Sequence, residues 1–298
     1  MLFRWCLYSL FLTLFLPLNV WAGNGSEENR AFRRNPTKEY LNQLYTQFHF
    51  GKSNRISFDA FEEACIGYAN LIETGLLREG ALLSICDLSL SSNLPRFWVL
   101  DVNSRKVLFN TLMAHGMNSG EEYATSFSNI PESHQSSLGF YLTAETYQGT
   151  NGYSLKLNGI DEGYNDKAAE RAIVMHGASY VSTEFARSNQ RIGRSHGCPA
   201  LPVEYSDKII SKLQEGHCLF IYYPDRHYQA QSYWLNRVPE KSLLTLVNRS
   251  DEGSAECSKE NAFCEEPVLL KKPRGTVTTI TVLQENRHGE ITDTLRVH

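Results

Sequence analysis

Cys198 lies in 193-GRSHGCPAL-201, and His176 ends the run 171-RAIVMHGASYV-181. A thiol attacks carbonyl carbon only as thiolate, and its free pKa keeps most of it protonated at neutral pH. Activation needs a neighbouring base or a positive environment, and a histidine at the end of an apolar strand is such a base. Gly197 permits a tight turn and close approach of a substrate to the backbone. Pro199 stiffens the exit from that turn and carries no N–H. N–H groups near Gly197 and Cys198 can then face a developing oxyanion, which suits acyl transfer through a thioester. Taken singly, each feature has a plainer explanation. Cys198 alone fits a buried structural cysteine, and His176 alone fits a strand-end histidine with a satisfied hydrogen bond. The pair, in this order, points to one site.

Two other chemistries use the same residues. His176, His196 and Cys198 supply three zinc-type ligands, but no CxxC or HExxH accompanies them. The local sequence around a papain-like cysteine is absent. No metal or other cofactor is expected.

The elements that position these residues read mostly as strands. ALLSICDLS, RFWVLDV and 105-RKVLFNTLMA-114 are strand-like, the last two joined at Asn103-Ser104. The segments 153–160, 172–175 and 217–223 continue that pattern. Helices are expected over 57–77, capped by Ser57, and over 204–216, ended by Gly216. Residues 164–171 form a helical turn or two. The stretch 119–151, rich in Ser, Gly, Asn and aromatics, reads as loops with short strands of the kind that line a site. The expected fold is mainly β with a few helices.

The chain has 298 residues, 42% of them hydrophobic, with a net charge of −4. That is globular composition without a polybasic footprint, so nucleic acid is not expected as a partner. Residues 1–22 carry Arg4, an apolar run from Trp5 to Leu18 and a Val20-Trp21-Ala22 ending, the pattern of a cleaved signal peptide. No stable membrane insertion is expected once it is removed. Export, with the periplasm as destination, makes the cysteines candidates for disulfides. Cys257 and Cys264 are the nearest local pair, Cys65 and Cys86 can pair if their helix and strand pack together, and Cys218 fits a buried free thiol. Residues 23–54 form a linker and N-terminal segment, its 23–40 part polar. Residues 55–235 form the main domain. Residues 236–298 form an extension of unassigned role, with a hairpin turning at Arg287-His288-Gly289.

The pattern His-Gly … Gly-Arg-Ser-His-Gly-Cys resembles the signature of the L,D-transpeptidase (YkuD-like) catalytic domain. The segments 115-HGMNSG-120, 127-FSNIPESHQSSLGFY-141, 149-GTNGYSLKLNGID-161 and 171-RAIVMHGASYV-181, with the Gly-Cys-Pro-Ala-Leu ending, are similar to the murein L,D-transpeptidase branch. The resemblance covers roughly 55–225. It implies a β-rich sandwich or barrel whose thiol forms an acyl-enzyme with a peptidoglycan stem tetrapeptide and passes it to an amine, giving a 3→3 cross-link. Carried over, Cys198 is the nucleophile, His176 the base and the Gly177 carbonyl its orienter. Ser195, His196 and Gly197 shape the turn and oxyanion site. Many members follow the cysteine with a hydrophobic residue and then Arg, whereas Pro199 and Ala200 stand here. Arg194 or Arg171 can take over substrate binding, His115 can line the cleft, and Tyr147 and Tyr153 can wall the groove. Each of these also fits a structural role: surface ion pairs for the arginines, a buried histidine, core tyrosines. An L,D-carboxypeptidase or amidase would use the same residues with water as acceptor. A wall-binding module with an idle site is the non-catalytic alternative.

Overall fold

The computed structural model describes residues 37–248, 280–285 and 291–297. The expected signal peptide, residues 23–36, the Cys257–Cys264 pair and the turn at Arg287-His288-Gly289 lie outside the described residues.

Two fully buried strands found the sheet. β1 (Leu83–Asp87) and β8 (Cys218–Tyr222) are buried at every position and pair in parallel, Leu83 opposite Cys218. Strands buried along their whole length belong in the middle of a sheet covered on both faces. β2 (Phe97–Asp101) and β3 (Lys106–Thr111) extend it antiparallel on one side. On the other side come β4 (Gly139–Gly149), β5 (Gly152–Gly159), β6 (Val174–Gly177) and β7 (Ala200–Leu201). The order is β3-β2-β1-β8-β4-β5-β6-β7. Just past β3, the Ala114 N–H donates to the Ala200 carbonyl of β7 at 2.9 Å. The two edges therefore meet, and the sheet is nearly closed and barrel-like. The fold is mainly β, as the sequence indicates.

Helices cover this sheet. α1 occupies 37–47, and α2 (Phe58–Glu73) follows with Ser57 as its cap, whose hydroxyl accepts the Ala60 N–H at 3.3 Å. α3 (Thr183–Asn189) lies between β6 and β7, and α4 (Val203–Leu213) buries Ile209, Ile210 and Leu213. α5 (Arg226–Gln231), α6 (Tyr233–Asn236) and α7 (Glu240–Asn248) come after β8. Among the described residues, no helix is long and apolar enough to cross a membrane. β9 (Ile280–Glu285) and β10 (Ile291–Val297) pair antiparallel, as expected of the C-terminal hairpin.

Several expectations change. Residues 37–40, expected within a polar linker, open α1, because Leu41 and Leu44 behind them are fully buried. Residues 139–149, expected as loop with short strands, form one long strand. Its outer half is half-buried or exposed throughout, and its register shifts between Thr143 and Thr146. Residues 164–171 do make the expected turn or two, the Arg171 N–H donating to the Lys167 carbonyl at 2.9 Å. α4 stops at Leu213, before Gly216; Glu215 and Gly216, at φ 60° and 80°, then return the chain into β8. Cys65 and Cys86 do not pair: α2 and β1 pack together, yet both thiols are free and fully buried. Burial pushes both thiols up, Cys86 to about 12, so each behaves as a small hydrophobe. Cys218 is likewise a buried free thiol, as expected.

One core runs through all of this. Leu41, Leu44, Phe48 and Phe50 join it before residue 55, and Leu243 and Leu246 join it after 235. Asp161 fastens the C-terminal side. Its carboxylate accepts the Phe140 N–H at 2.7 Å, the Ser232 hydroxyl at 2.7 Å and the Tyr228 hydroxyl at 3.1 Å.

Candidate active site

Register brings the two motifs together. β6 and β7 run parallel with His176 opposite Ala200, two residues beyond Cys198. Cys198 therefore lies alongside Val174, whose N–H reaches its Sγ at 3.5 Å. The sulfur also faces the Ala172 carbonyl at 3.8 Å. The imidazole is held close by: His176 Nδ1 is 3.0 Å from its neighbour's carbonyl, Gly177 O. With Nδ1 donating there, the lone pair sits on Nε2, the tautomer a base needs. Among the described residues, no hydrogen bond joins Sγ to the His176 ring.

The turn that presents the thiol is stapled by Ser195. Its hydroxyl donates to the Cys198 carbonyl at 2.6 Å and accepts the Gly197 N–H at 3.1 Å. The Gly197 N–H, expected to face an oxyanion, is thus used inside the turn. The Cys198 N–H has no acceptor among the described residues. Gly197 has φ 117°, and a Cβ there would lie 2.8 Å from the Gln135 carbonyl and 3.1 Å from Ile173 Cδ1. A side chain is excluded twice over, by conformation and by space.

A second loop braces the first. The Ser195 N–H donates to the His115 carbonyl at 3.0 Å, and the Met117 N–H to the Ser195 carbonyl at 2.7 Å. His115, expected to line the cleft, is 1% exposed and belongs to this brace. Its Nδ1 lies 2.7 Å from an Nη2 of the buried Arg96, an obligate donor, so Nδ1 accepts and Nε2 faces the Gly120 carbonyl at 3.4 Å. Burial, with Arg96 beside it, holds the His115 imidazole down to about 3, hence neutral. Arg96 also donates to the Met113 and Leu90 carbonyls, which satisfies a charge that burial would otherwise penalise.

Arg194, expected to bind substrate, is committed elsewhere. Its Nη1 donates to the Met117 and Gly120 carbonyls and pairs with Glu121 at 2.8 Å. Arg171 is half-buried and points inward. It donates to the Ser128 carbonyl at 2.7 Å, the Gln135 carbonyl at 2.6 Å and Ser133 Oγ at 3.2 Å, and also to Ser137 Oγ. His196 is exposed and stacks on His134, ring centres 4.3 Å apart.

The tyrosines separate. Residues directly opposed on neighbouring strands share a face. Tyr147 opposes Ser154, which opposes His176, so all three stand on one face. Tyr147 is 38% exposed, with the Lys156 ammonium 5.7 Å from its ring centre. Tyr153, next to Ser154, points to the other face and packs on the core, not beside His176.

Burial raises the Cys198 thiol, while the Val174 N–H and the Arg171 charge pull it down. Two neighbours escaped the sequence reading. Tyr180 is held up at about 12, by burial first and then by the charge of Cys198. A Cβ on Gly193 would fall 2.5 Å from the Tyr180 side chain, so the first glycine of the motif makes room for that ring. His134 lies in an exposed loop with φ 54°, and only its packing on His196 marks it. Both lie inside segments that carry the family resemblance, 171–181 and 127–141, but their residue types alone signal no role. Among the described residues, no group of three or more His, Cys, Asp or Glu side chains is placed to hold a metal ion.

A half-covered thiol on a stapled turn, a histidine on the adjoining strand and an N–H at the sulfur are parts that nucleophilic acyl transfer uses. The family model described as L,D-transpeptidase catalytic domain matches residues 52–222, more than half of the chain, and the chain belongs to that family. Solved structures of similar fold include an L,D-transpeptidase from Mycobacterium smegmatis, at 12% identity and TM-score 0.30, covering 48% of this chain and 59% of that one. An L,D-transpeptidase solved with imipenem matches at 13% identity and TM-score 0.30, over 48% and 59% of the two chains. A variant of the helical cell shape determining protein Pgp2 from Campylobacter jejuni matches at 10% identity and TM-score 0.35, over 62% and 61%. The chain thus spans about three fifths of the length of these structures. No curated protein matches it.

Proposed function

We propose that this chain is an exported peptidoglycan L,D-transpeptidase, acting in the periplasm after loss of residues 1–22, with Cys198 as nucleophile and His176 as general base. The observation that carries the reading is the β6–β7 register, which sets the Cys198 sulfur against the Val174 N–H on the strand that carries His176.

His176 Nε2 takes the thiol proton, and Sγ attacks the carbonyl carbon that links the third residue of a stem tetrapeptide to its terminal D-alanine. The free Cys198 N–H is the donor nearest the developing oxyanion. Collapse of that intermediate breaks the C–N bond. D-Alanine leaves with the proton held by His176, and a thioester remains. An amine of a second stem then attacks the thioester carbonyl and gives its proton back through His176 to sulfur. The product is a 3→3 cross-link, and the thiol is regenerated.

Purified protein incubated with disaccharide-tetrapeptide muropeptide, followed by chromatography and mass analysis, tests this. The reading requires cross-linked dimers and free D-alanine. Tripeptide and D-alanine alone make the chain an L,D-carboxypeptidase. No product at all supports a wall-binding role.

A further inference from the structure

The motif shows no positive partner for the thiol, since Pro199 and Ala200 follow Cys198. We propose that Arg171 is the positioning residue of this site: one guanidinium ties the 128–137 loop against the Gly197–Cys198 turn and supplies the fixed positive charge for the Cys198 thiolate. This rests on Cys198 being the reactive group, as proposed above.

Three observations carry it. Arg171 immediately precedes the 172–174 backbone on which the sulfur lies, with Ala172 O at 3.8 Å and Val174 N at 3.5 Å from Sγ. Its Nη2 is 3.3 Å from where a Gly197 Cβ would stand, on the same side as the Gln135 carbonyl it bonds. Its donors go to four neutral oxygens, on Ser128, Ser133, Gln135 and Ser137, so no carboxylate cancels its charge. A guanidinium satisfied only by neutral acceptors and held in a partly desolvated site keeps its field for the nearest developing anion. The thiolate is that anion: its charge in turn favours the charged form of Arg171 against burial, and the Arg171 charge favours the thiolate.

Other titratable groups stand on the elements around the sulfur. His176 stands on β6, Tyr180 on the loop after it, and His196, stacked on His134, on the turn itself. Among all these groups, Arg171 is the one whose side chain carries a fixed positive charge.

The test is the pH dependence of iodoacetamide alkylation of Cys198, followed by mass spectrometry on folded protein. It needs no muropeptide, so it stands apart from transpeptidation. Arg171→Gln keeps donors for the loop and removes the charge. Its alkylation midpoint should move to higher pH and its rate at pH 7 should drop about tenfold, the effect of losing an opposite charge at close range. Arg171→Lys should stay near wild type. Ser137→Ala, which loosens the loop alone, should leave the midpoint in place. If Arg171→Gln does not fold, Arg171→Met serves as the neutral variant. An unmoved midpoint in the neutral variant overturns the proposal. So does an equal shift in Arg171→Lys or Ser137→Ala, because then the loop rather than the charge sets the thiol. Should Cys198 alkylate as proposed while no muropeptide is turned over, the inference stands and the transpeptidase reading fails.

Discussion

At the scale of single residues, most of the site is preparation for one sulfur. Cys198 receives a backbone N–H from Val174, and its turn is closed by the Ser195 hydroxyl. The motif made Cys198, His176, Ser195 and Gly197 legible, because thiol, imidazole and glycine carry their chemistry in their type. It misled for His115 and Arg194, whose chemistry is equally visible but is spent inside the scaffold. Nothing in a sequence tells whether an arginine faces a substrate carboxylate or its own chain's carbonyls. His115 carries a prediction of its own. The unfolded chain takes up a proton on this ring near 6.5, whereas the folded protein resists until about 3. The stability it contributes is therefore complete above about pH 6.5 and is lost progressively as pH falls towards 3. His217, held down to about 4 by burial and then by Arg78, acts in the same direction. Thermal unfolding scans between pH 7 and 4 should show a steeper fall in Tm for wild type than for His115→Gln. Parallel curves would mean that the ring is not held neutral.

At the scale of elements, the position of the thiol is a matter of register. β7 is only two residues long, yet its pairing with β6 fixes where the preceding turn lies, and the Ala114–Ala200 bridge pins it from the other edge. Buried strands such as β2 and β8 were legible because their apolar runs, FWVL and CLFIY, are continuous. The strand β4 was not, since its outer half faces solvent and its Ser/Gly-rich approach resembles loop. The brace between 115–120 and 193–198 was also invisible: it consists of backbone hydrogen bonds, which no side-chain pattern announces. Gly197 tests whether the turn must hold this shape. Gly197→Ala should cost about 1–3 kcal/mol in urea unfolding, from φ strain and the clash with Gln135. It should also slow acylation of Cys198 by far more than its effect on the folded population. A variant with wild-type stability and acylation would show that the turn relaxes freely.

At the scale of the molecule, the matched family region ends at residue 222, but the core does not. Tyr228, Trp234, Leu235, Leu243 and Leu246 are buried in the same cluster as β8 and α2. Asn70, in the middle of α2, donates to the Trp234 and Arg237 carbonyls, and Asp161 holds Tyr228 and Ser232. Five large apolar side chains at about 1.5–3 kcal/mol each rival the whole stability of a typical domain, about 5–15 kcal/mol. A chain ended after residue 222 should therefore lose its cooperative thermal transition, while one ended after 248 should retain it. Equal transitions in the two would make α5–α7 a mere appendage. The sequence indicated a change of character near 236 because polar residues become dense there. It did not reveal that α7 packs back on α2, since a short amphipathic helix gives no sign of its partner.

The central claim is that Cys198 is the group that becomes acylated, with His176 drawing off its proton. Intact-mass analysis of folded wild type, Cys198→Ala and His176→Ala over time with a carbapenem, an acylating mimic of the stem peptide, tests it most directly. The account predicts a single covalent adduct on wild type, none on Cys198→Ala with its fold intact, and formation slowed by about 10²–10⁴-fold in His176→Ala. An adduct of the same mass on Cys198→Ala, or a wild type that turns over muropeptide without ever being labelled at Cys198, would contradict it.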